Sequence, residues 1–269
     1  EVFSMFEIRQ VVTPDTLAEA YAVLTANRNN RILGGCAFLK MGKKLINQGI
    51  SLEKLGLDLI RQQDGWIDIG ASCTYGQLST NPLIQAYAGG VIVTALQPIV
   101  GVQLRNRVQV GASVFSRYGF SDFLPVLLAL GAEVTLHQGG RMTLESFLAQ
   151  PLSRDILIAV HLPDRPQTAA CQSLRYTASD LPVVNCAVAR DAASGTWRVA
   201  IGSRPGRAKL ITEASSILTE KTPSEAAIAQ VTEAIGQLSF GSNARASADY
   251  RLAMAKVLVQ RAIEEVASC

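Results

Sequence analysis

The chain is short of the residues that most often build a reactive centre. Its two histidines, His137 and His161, lie far apart in strand-like stretches. The expected setting of each is a half-exposed strand position and not a metal site. The five cysteines, Cys36, Cys73, Cys171, Cys186 and Cys269, are odd in number, widely spaced and without a C-x-x-C. That argues against a disulfide framework and against a cysteine-held zinc or iron–sulfur centre in this chain. It points to reduced thiols in a cytoplasmic protein. There is no G-x-S-x-G elbow, no G-x-G-x-x-G after a strand and no evident acid–base pair of carboxylates. No apolar run reaches the roughly 18 residues of a membrane span. The opening EVFSMFEIRQ is not patterned as a secretory leader. A net charge of +3 with both signs dispersed gives no footprint for nucleic acid.

What is present is ample apolar material, 48% of 269 residues, enough for a core in more than one sub-domain. VTPDTLAEAYAVLTAN reads as a helix capped by Thr13, with Pro14 at its first position and Leu17, Ala20, Tyr21 and Leu24 on one face. RIL is a short strand, and WIDIGAS is a second one closed by Gly70. Thr74 caps a following helix, and GGVIVTALQPIVG is an apolar helix or helix pair around Pro98. RNRVQVGAS reads as strand and loop. Ser121 or Asp122 caps an apolar helix that Gly131 stops. AEVTLHQGGR begins a hairpin turning at Gly139-Gly140, and DILIAVHLP is another strand. Pro163 and Pro166 mark a boundary. Beyond it come a strand, a turn at Ser194-Gly195, a strand and three helical stretches, the last from about Ala246 to Val266. The fold class expected is α+β, in two or three lobes.

RILGGCAFLKMGKK is the stretch that poses a chemical question. It is not a nucleotide-triphosphatase loop. Six residues separate Gly35 from Gly42, and Lys44 stands where the metal-binding hydroxyl belongs. Two glycine-containing loops, ILGGCAF and QVGAS, each read as following a strand. Backbone N–H groups in such loops form anion-binding concavities, and small residues let a ligand approach the main chain. Two of them converging on one diphosphate would suit a dinucleotide; taken by themselves, both read as ordinary turns.

In order and spacing the whole chain resembles the FAD-binding medium subunit of the molybdenum hydroxylases, as in xanthine dehydrogenase and carbon monoxide dehydrogenase. FEIRQVVTPDTLAEAYAVL resembles the family's opening strand and helix, and Leu33-Gly34-Gly35-Cys36-Ala37 its A-G-G-T-D-type loop. IDIGASCTYGQLSTNPLI, LRNRVQVGAS and SDFLPVLLALGAEVTL resemble three further segments. SDLPVVNCAVA, IGSRPGRAKLITEA and RASADYRLAMAKVLVQRA resemble its C-terminal lobe. The resemblance implies a PCMH-type FAD-binding domain of two α/β lobes over residues 1–163. A smaller C-terminal domain of the CO dehydrogenase flavoprotein type would follow over 164–269, with an antiparallel sheet and a helical bundle.

It also implies a site. Ile32, Leu33, Gly34, Gly35, Cys36, Ala37 and Phe38 would wrap the FAD diphosphate with their backbone, and Gly111, Ala112 and Ser113 would close over it. Asp122 would accept from the adenosine ribose, or else cap a helix. Leu157 would touch the flavin or the adenine. Lys40, Lys43 and Lys44 are phosphate-facing charges or a solvated cluster. No catalytic side chain and no metal ligand is implied. The implied role is electron transfer, from the [2Fe–2S] clusters of a partner subunit through FAD to NAD⁺ or another acceptor. A molybdopterin-binding subunit would oxidise the organic substrate. The loops depart from the family pattern at Cys36-Ala37, which replace Thr-Asp, and at Ala112-Ser113, which replace Gly-Asn. Each lost hydrogen bond is worth about 0.5–1.5 kcal/mol. Ala112 is expected to carry strain if its φ is positive. The alternative these changes raise is a structural subunit that packs on its partners without tightly held flavin.

Overall fold

The computed structural model describes residues 6–42 and 45–269. Lys43, Lys44 and the side chain of Lys40 lie outside the described residues. The first lobe is a parallel three-stranded sheet of β1 (Glu7–Val12), β2 (Arg31–Ile32) and β3 (Leu45–Ile50), in the order β1-β3-β2. Helix α1 (Leu17–Ala26) crosses it and buries Ala20 and Leu24 against Ile50, Leu52 and Ile156. The cap of α1 is Thr16 and not Thr13. Its Oγ1 accepts from the Glu19 N–H at 3.1 Å, and the Glu19 carboxylate accepts from the Asp15 N–H at 3.0 Å. That reciprocal pair fixes the start three residues later than Pro14 alone suggests.

The second lobe is an antiparallel sheet of β4 (Ile60–Gln63), β5 (Trp66–Gly70), β6 (Glu133–Leu136), β7 (Gly140–Thr143) and β8 (Leu157–Pro163), ordered β4-β5-β8-β6-β7. In β5 the alternation holds, with Ile67 and Ile69 buried. The β6–β7 turn runs through residues 137–139, because Gly140, at φ +66°, already pairs with Leu136. His161 is buried, not half-exposed. Its Nδ1 lies 2.6 Å from Asp68 Oδ1 and its Nε2 lies 2.7 Å from Thr135 Oγ1. A strand histidine whose two nitrogens are both satisfied can be desolvated.

Short helices α2 (Tyr75–Thr80), α3 (Pro82–Ala86), α4 (Val91–Leu96), α5 (Val102–Arg105), α6 (Val110–Ser116) and α7 (Phe123–Ala129) join β5 to β6, and α8 (Leu144–Ala149) joins β7 to β8. Thr74 caps α2 as expected, and the structure adds a reciprocal box with Gln77. The segment Val110–Ser116 is a correction, since it is helix and not a loop after a strand. Gln109 makes only an isolated bridge with Thr74. The Val110 N–H donates to Cys73 O at 2.8 Å and the Gly111 N–H to Ala71 O at 2.7 Å, while Val110 and Val114 are fully buried. Core burial at i and i+4 overrides the poor helix propensity of Val and Gly.

The third lobe is an antiparallel sheet of β9 (Gln167–Leu174), β10 (Val184–Asp191), β11 (Trp197–Gly202) and β12 (Lys209–Leu210), backed by α9 (Thr212–Ile217), α10 (Glu225–Gly236) and α11 (Ala248–Ser268). The alternation of β10 divides two cores. Ala187 and Ala189 join the core of the second lobe, and Val184, Cys186 and Val188 join the core built with α11. A strand buried on both faces reads as one apolar run. The cysteines are all free. No helix among the described residues is long and apolar enough to cross a membrane. Nor do the described residues hold a His/Cys/Asp/Glu group that could bind a metal.

Candidate functional site

The sheet bond from the Leu33 N–H to Ile50 O, at 2.9 Å, is the last that β2 offers. Beyond it the N–H groups of Gly34, Gly35, Cys36, Ala37 and Phe38 donate to no acceptor among the described residues. Five successive free donors around a turn form a concavity suited to an anion. The turn is made by Gly35 at φ +75° and Cys36 at φ +57°. A methyl at Gly35 would lie 1.6 Å from the Arg107 carbonyl oxygen, and one at Gly34 would lie 2.3 Å from the Ala112 Cβ. The loop is therefore seated on the approach to α6, and the two segments form one wall.

The strain expected at Ala112 falls on Cys36 instead. Ala112 lies within the first turn of α6, whereas Cys36 holds a left-handed conformation that costs an L-residue about 1–2 kcal/mol. Burial pushes the Cys36 thiol up, against the pull of Arg107. In α6 the Gly111 N–H is spent on Ala71 O, and the free donor of that turn belongs to Ala112. Gly111 serves close packing, because a methyl there would lie 2.7 Å from the Ala71 Cβ. The Ser113 hydroxyl is held by the hydroxyl of buried Tyr75.

Asp122 is not the cap of α7. Ser121 takes that role, its Oγ accepting from the Leu124 N–H at 3.1 Å. Asp122 Oδ1 pairs with the Arg175 guanidinium and accepts from Asn185 Nδ2 at 3.2 Å. Both charged side chains of that pair are more than nine-tenths buried. Burial pushes the Asp122 carboxyl up, against the pull of Arg175 and Asn185. Its Oδ2 accepts from none of the described residues, which leaves an oxygen for a ligand hydroxyl.

These groups line one cleft of about 610 Å³, within the range of ligand pockets, roughly 300–1,000 Å³. Ile32, Gly34, Cys36, Ala37 and Phe38 line it on one side, and Gly111, Ala112, Ser113, Asp122 and Leu157 on the others. Leu33 and Gly35 do not line it. Leu33 packs over Gly49, and Gly35 abuts Arg107.

Two features had only faint sequence signals. The ring of Phe38 sits 5.3 Å from Tyr118 and 5.2 Å from Phe120, which stack on each other at 5.0 Å, so three aromatics form one wall. The signal was the spacing of Tyr118 and Phe120 just ahead of Ser121-Asp122. Arg31 and Arg154 also line the cleft. Arg154 donates to the Asn27 and Arg28 carbonyls at 2.9 and 3.0 Å, past the end of α1. Two guanidiniums and a row of N–H donors favour a diphosphate, and apolar and aromatic walls favour flat rings. The residues present fit FAD.

Comparison with known proteins agrees. Residues 4–165 match the family described as the FAD binding domain in molybdopterin dehydrogenase, and residues 169–266 match the CO dehydrogenase flavoprotein C-terminal domain. The chain is 29% identical to the uncharacterized protein YgfM of Escherichia coli K12 over 68% of this chain and 70% of that one. It is 24% identical to the nicotine 6-hydroxylase medium subunit of Paenarthrobacter nicotinovorans over 94% and 95% of the two chains. It shares the fold of carbon monoxide dehydrogenase from Hydrogenophaga pseudoflava, with a TM-score of 0.87 at 22% identity over 96% of this chain and 97% of that one. The chain belongs to the FAD-binding domain family of the molybdopterin dehydrogenases, as an FAD-carrying flavoprotein subunit of a CO dehydrogenase- and xanthine dehydrogenase-like oxidoreductase.

Proposed function

We propose that this chain is the electron-transfer subunit of a multi-subunit molybdenum hydroxylase of the cytoplasm. It takes electrons from the [2Fe–2S] clusters of a partner subunit and delivers them to NAD⁺ or another acceptor. A second partner, carrying molybdopterin, oxidises the organic substrate. FAD, when bound, supplies a carrier that accepts electrons singly and releases them as a pair. The residues of this chain hold and orient. The free N–H groups of Gly34 to Phe38, with that of Ala112, receive the diphosphate. Asp122 Oδ2 accepts from a ribose hydroxyl, and Leu157 and the aromatic wall exclude water. We place the division of the chain at 163/164, where β8 gives way to β9.

The observation that carries this reading is a loop, Gly34 to Phe38, whose N–H groups have no acceptor among the described residues and four of whose residues line an apolar cleft. The test is co-purification followed by rapid mixing. The assembled complex should contain iron, molybdenum and one FAD per copy of this chain, and its flavin should bleach on addition of the organic substrate. The isolated chain, loaded with FAD, should not bleach. Bleaching of the isolated chain, or purification free of any iron–sulfur partner, would overturn the assignment.

A further inference from the structure

A second cavity, of about 400 Å³, shares Phe120 and Leu181 with the flavin cleft. It lies between the turn at 117–120, the turn at 203–207 and the start of α11. Its walls carry Arg117, Arg207, Arg245 and Arg251 and no aspartate or glutamate. Arg117 is 5% exposed and Arg251 is 2% exposed. Among the described residues, Arg245 has a carboxylate partner, Asp180, and the other three arginines have none.

Main-chain oxygens satisfy part of this charge. Arg117 Nη1 donates to Gln150 O at 2.6 Å, and Arg207 Nη1 donates to Leu148 O at 2.6 Å. Arg251 donates to Val183 O, to Ser203 O at 3.0 Å and to Asn243 Oδ1 at 2.6 Å. Much is left over. The Nε atoms of Arg117, Arg245 and Arg251 and the Oγ of Ser203 are buried without partners. Ser203 is itself 3% exposed and held at φ +53°, its N–H tied to Gly119 O at 2.9 Å. Burial, with Arg207 alongside, pushes Arg117 down, and burial with Arg245 alongside does the same to Arg251. Crowded, desolvated guanidiniums are tolerated where a counter-anion completes the site.

We propose that this cavity binds a phosphoryl group. Four guanidiniums around one cavity, that of Arg117 lying over the Phe147 ring, supply the positive charge that a tetrahedral dianion would neutralise. A single carboxylate would balance one of the three unpaired charges, whereas a phosphate or diphosphate balances more. The group could belong to a free phosphate or to a nucleotide, since both present the same oxygens.

Equilibrium dialysis of the FAD-saturated chain against labelled inorganic phosphate, pyrophosphate and ADP, in parallel, tests this. Saturable binding is expected at one site per chain. Arg207→Gln should weaken it by about tenfold or more, Arg207→Lys by less, and neither should change FAD content. Tighter binding of ADP than of pyrophosphate assigns a nucleotide; equal or weaker binding assigns the free anion, and either supports the site. Ser203→Ala is the second variant. It removes one buried hydroxyl, so it should bind more weakly while melting no lower than the parent. Absence of saturable binding, or binding that Arg207→Gln and Ser203→Ala leave intact, overturns the proposal. So does binding that appears only when FAD is stripped, since the anion then sits at the glycine loop. The proposal does not rest on the flavin reading: if the chain retains no FAD, the same variants decide the pocket in the flavin-free protein.

Discussion

Gly35→Ala is the sharpest perturbation of the flavin loop. The new methyl would lie 1.6 Å from the Arg107 carbonyl oxygen and 2.6 Å from its carbon, both rigid backbone atoms. The loop and the approach to α6 must part. The left-handed φ of +75° adds about 1–2 kcal/mol of strain. Stability should fall by a few kcal/mol, with about 2–4 °C of melting temperature for each. The larger effect is on the cofactor. The loop Gly34 to Phe38 can present its free N–H groups to one ligand only while it keeps its seat. Hydrogen bonds to a charged group are worth about 1.5–3 kcal/mol each. Losing two of them weakens FAD binding by about a hundredfold to ten-thousandfold. Gly56→Ala is the control, because Gly56 sits at φ +63° with nothing within 4 Å of an added methyl. It should cost the same strain and leave flavin untouched. The assay is the FAD-to-protein ratio after gel filtration, beside a thermal melt. A Gly35→Ala protein that keeps full flavin while Gly56→Ala matches its melt would refute the reasoning.

Three further outcomes are expected. Asp122→Ala strands the buried Arg175 charge and should cost about 3–5 kcal/mol in urea unfolding, whereas the pair Asp122→Leu and Arg175→Leu made together should cost less; equal losses would show that the ion pair is irrelevant. Burial pushes the Asp191 carboxyl up, but the N–H groups of Ser194 and Ala193 and the Arg165 guanidinium outweigh it and hold the carboxyl below its ordinary range. Its stabilisation is therefore full above the unfolded value of about 4 and lost as pH falls through the lower folded value. Asp191→Asn should flatten the acid limb of stability against pH, and an unchanged limb would contradict this. Thr16→Ala should destabilise by about 1 kcal/mol while Thr13→Ala has little effect; the reverse order in a denaturant melt would restore Thr13 as the cap.

Features that depend on a few adjacent residues were legible. The Thr74 cap, the alternation of Ile67 and Ile69, the Gly131 stop and the three late helices are local signals, and they hold. The strand β9, QTAACQSL, is not signalled by the sequence because its own alternation is weak and its burial comes from α11 and α4, distant in the chain, although it pairs with the next strand, β10. Val110–Ser116 reads as strand and loop because its residues favour those states, while its helix is set by the Cys73 and Ala71 carbonyls and by the core around Val114.

The site divides in the same way. That RILGG ends a strand and opens a turn of small residues is written in the chain itself, since only glycine takes φ +75° without cost. That the turn leans on Ala112, that Asp122 meets Arg175 across 53 positions, and that four arginines from 117, 207, 245 and 251 crowd one cavity was decided by the fold. Backbone preference acts over a few residues, so sequence alone determined the elements and the family-like order of motifs. Which charges share a buried space depends on how three lobes close on one another, and that is a property of packing.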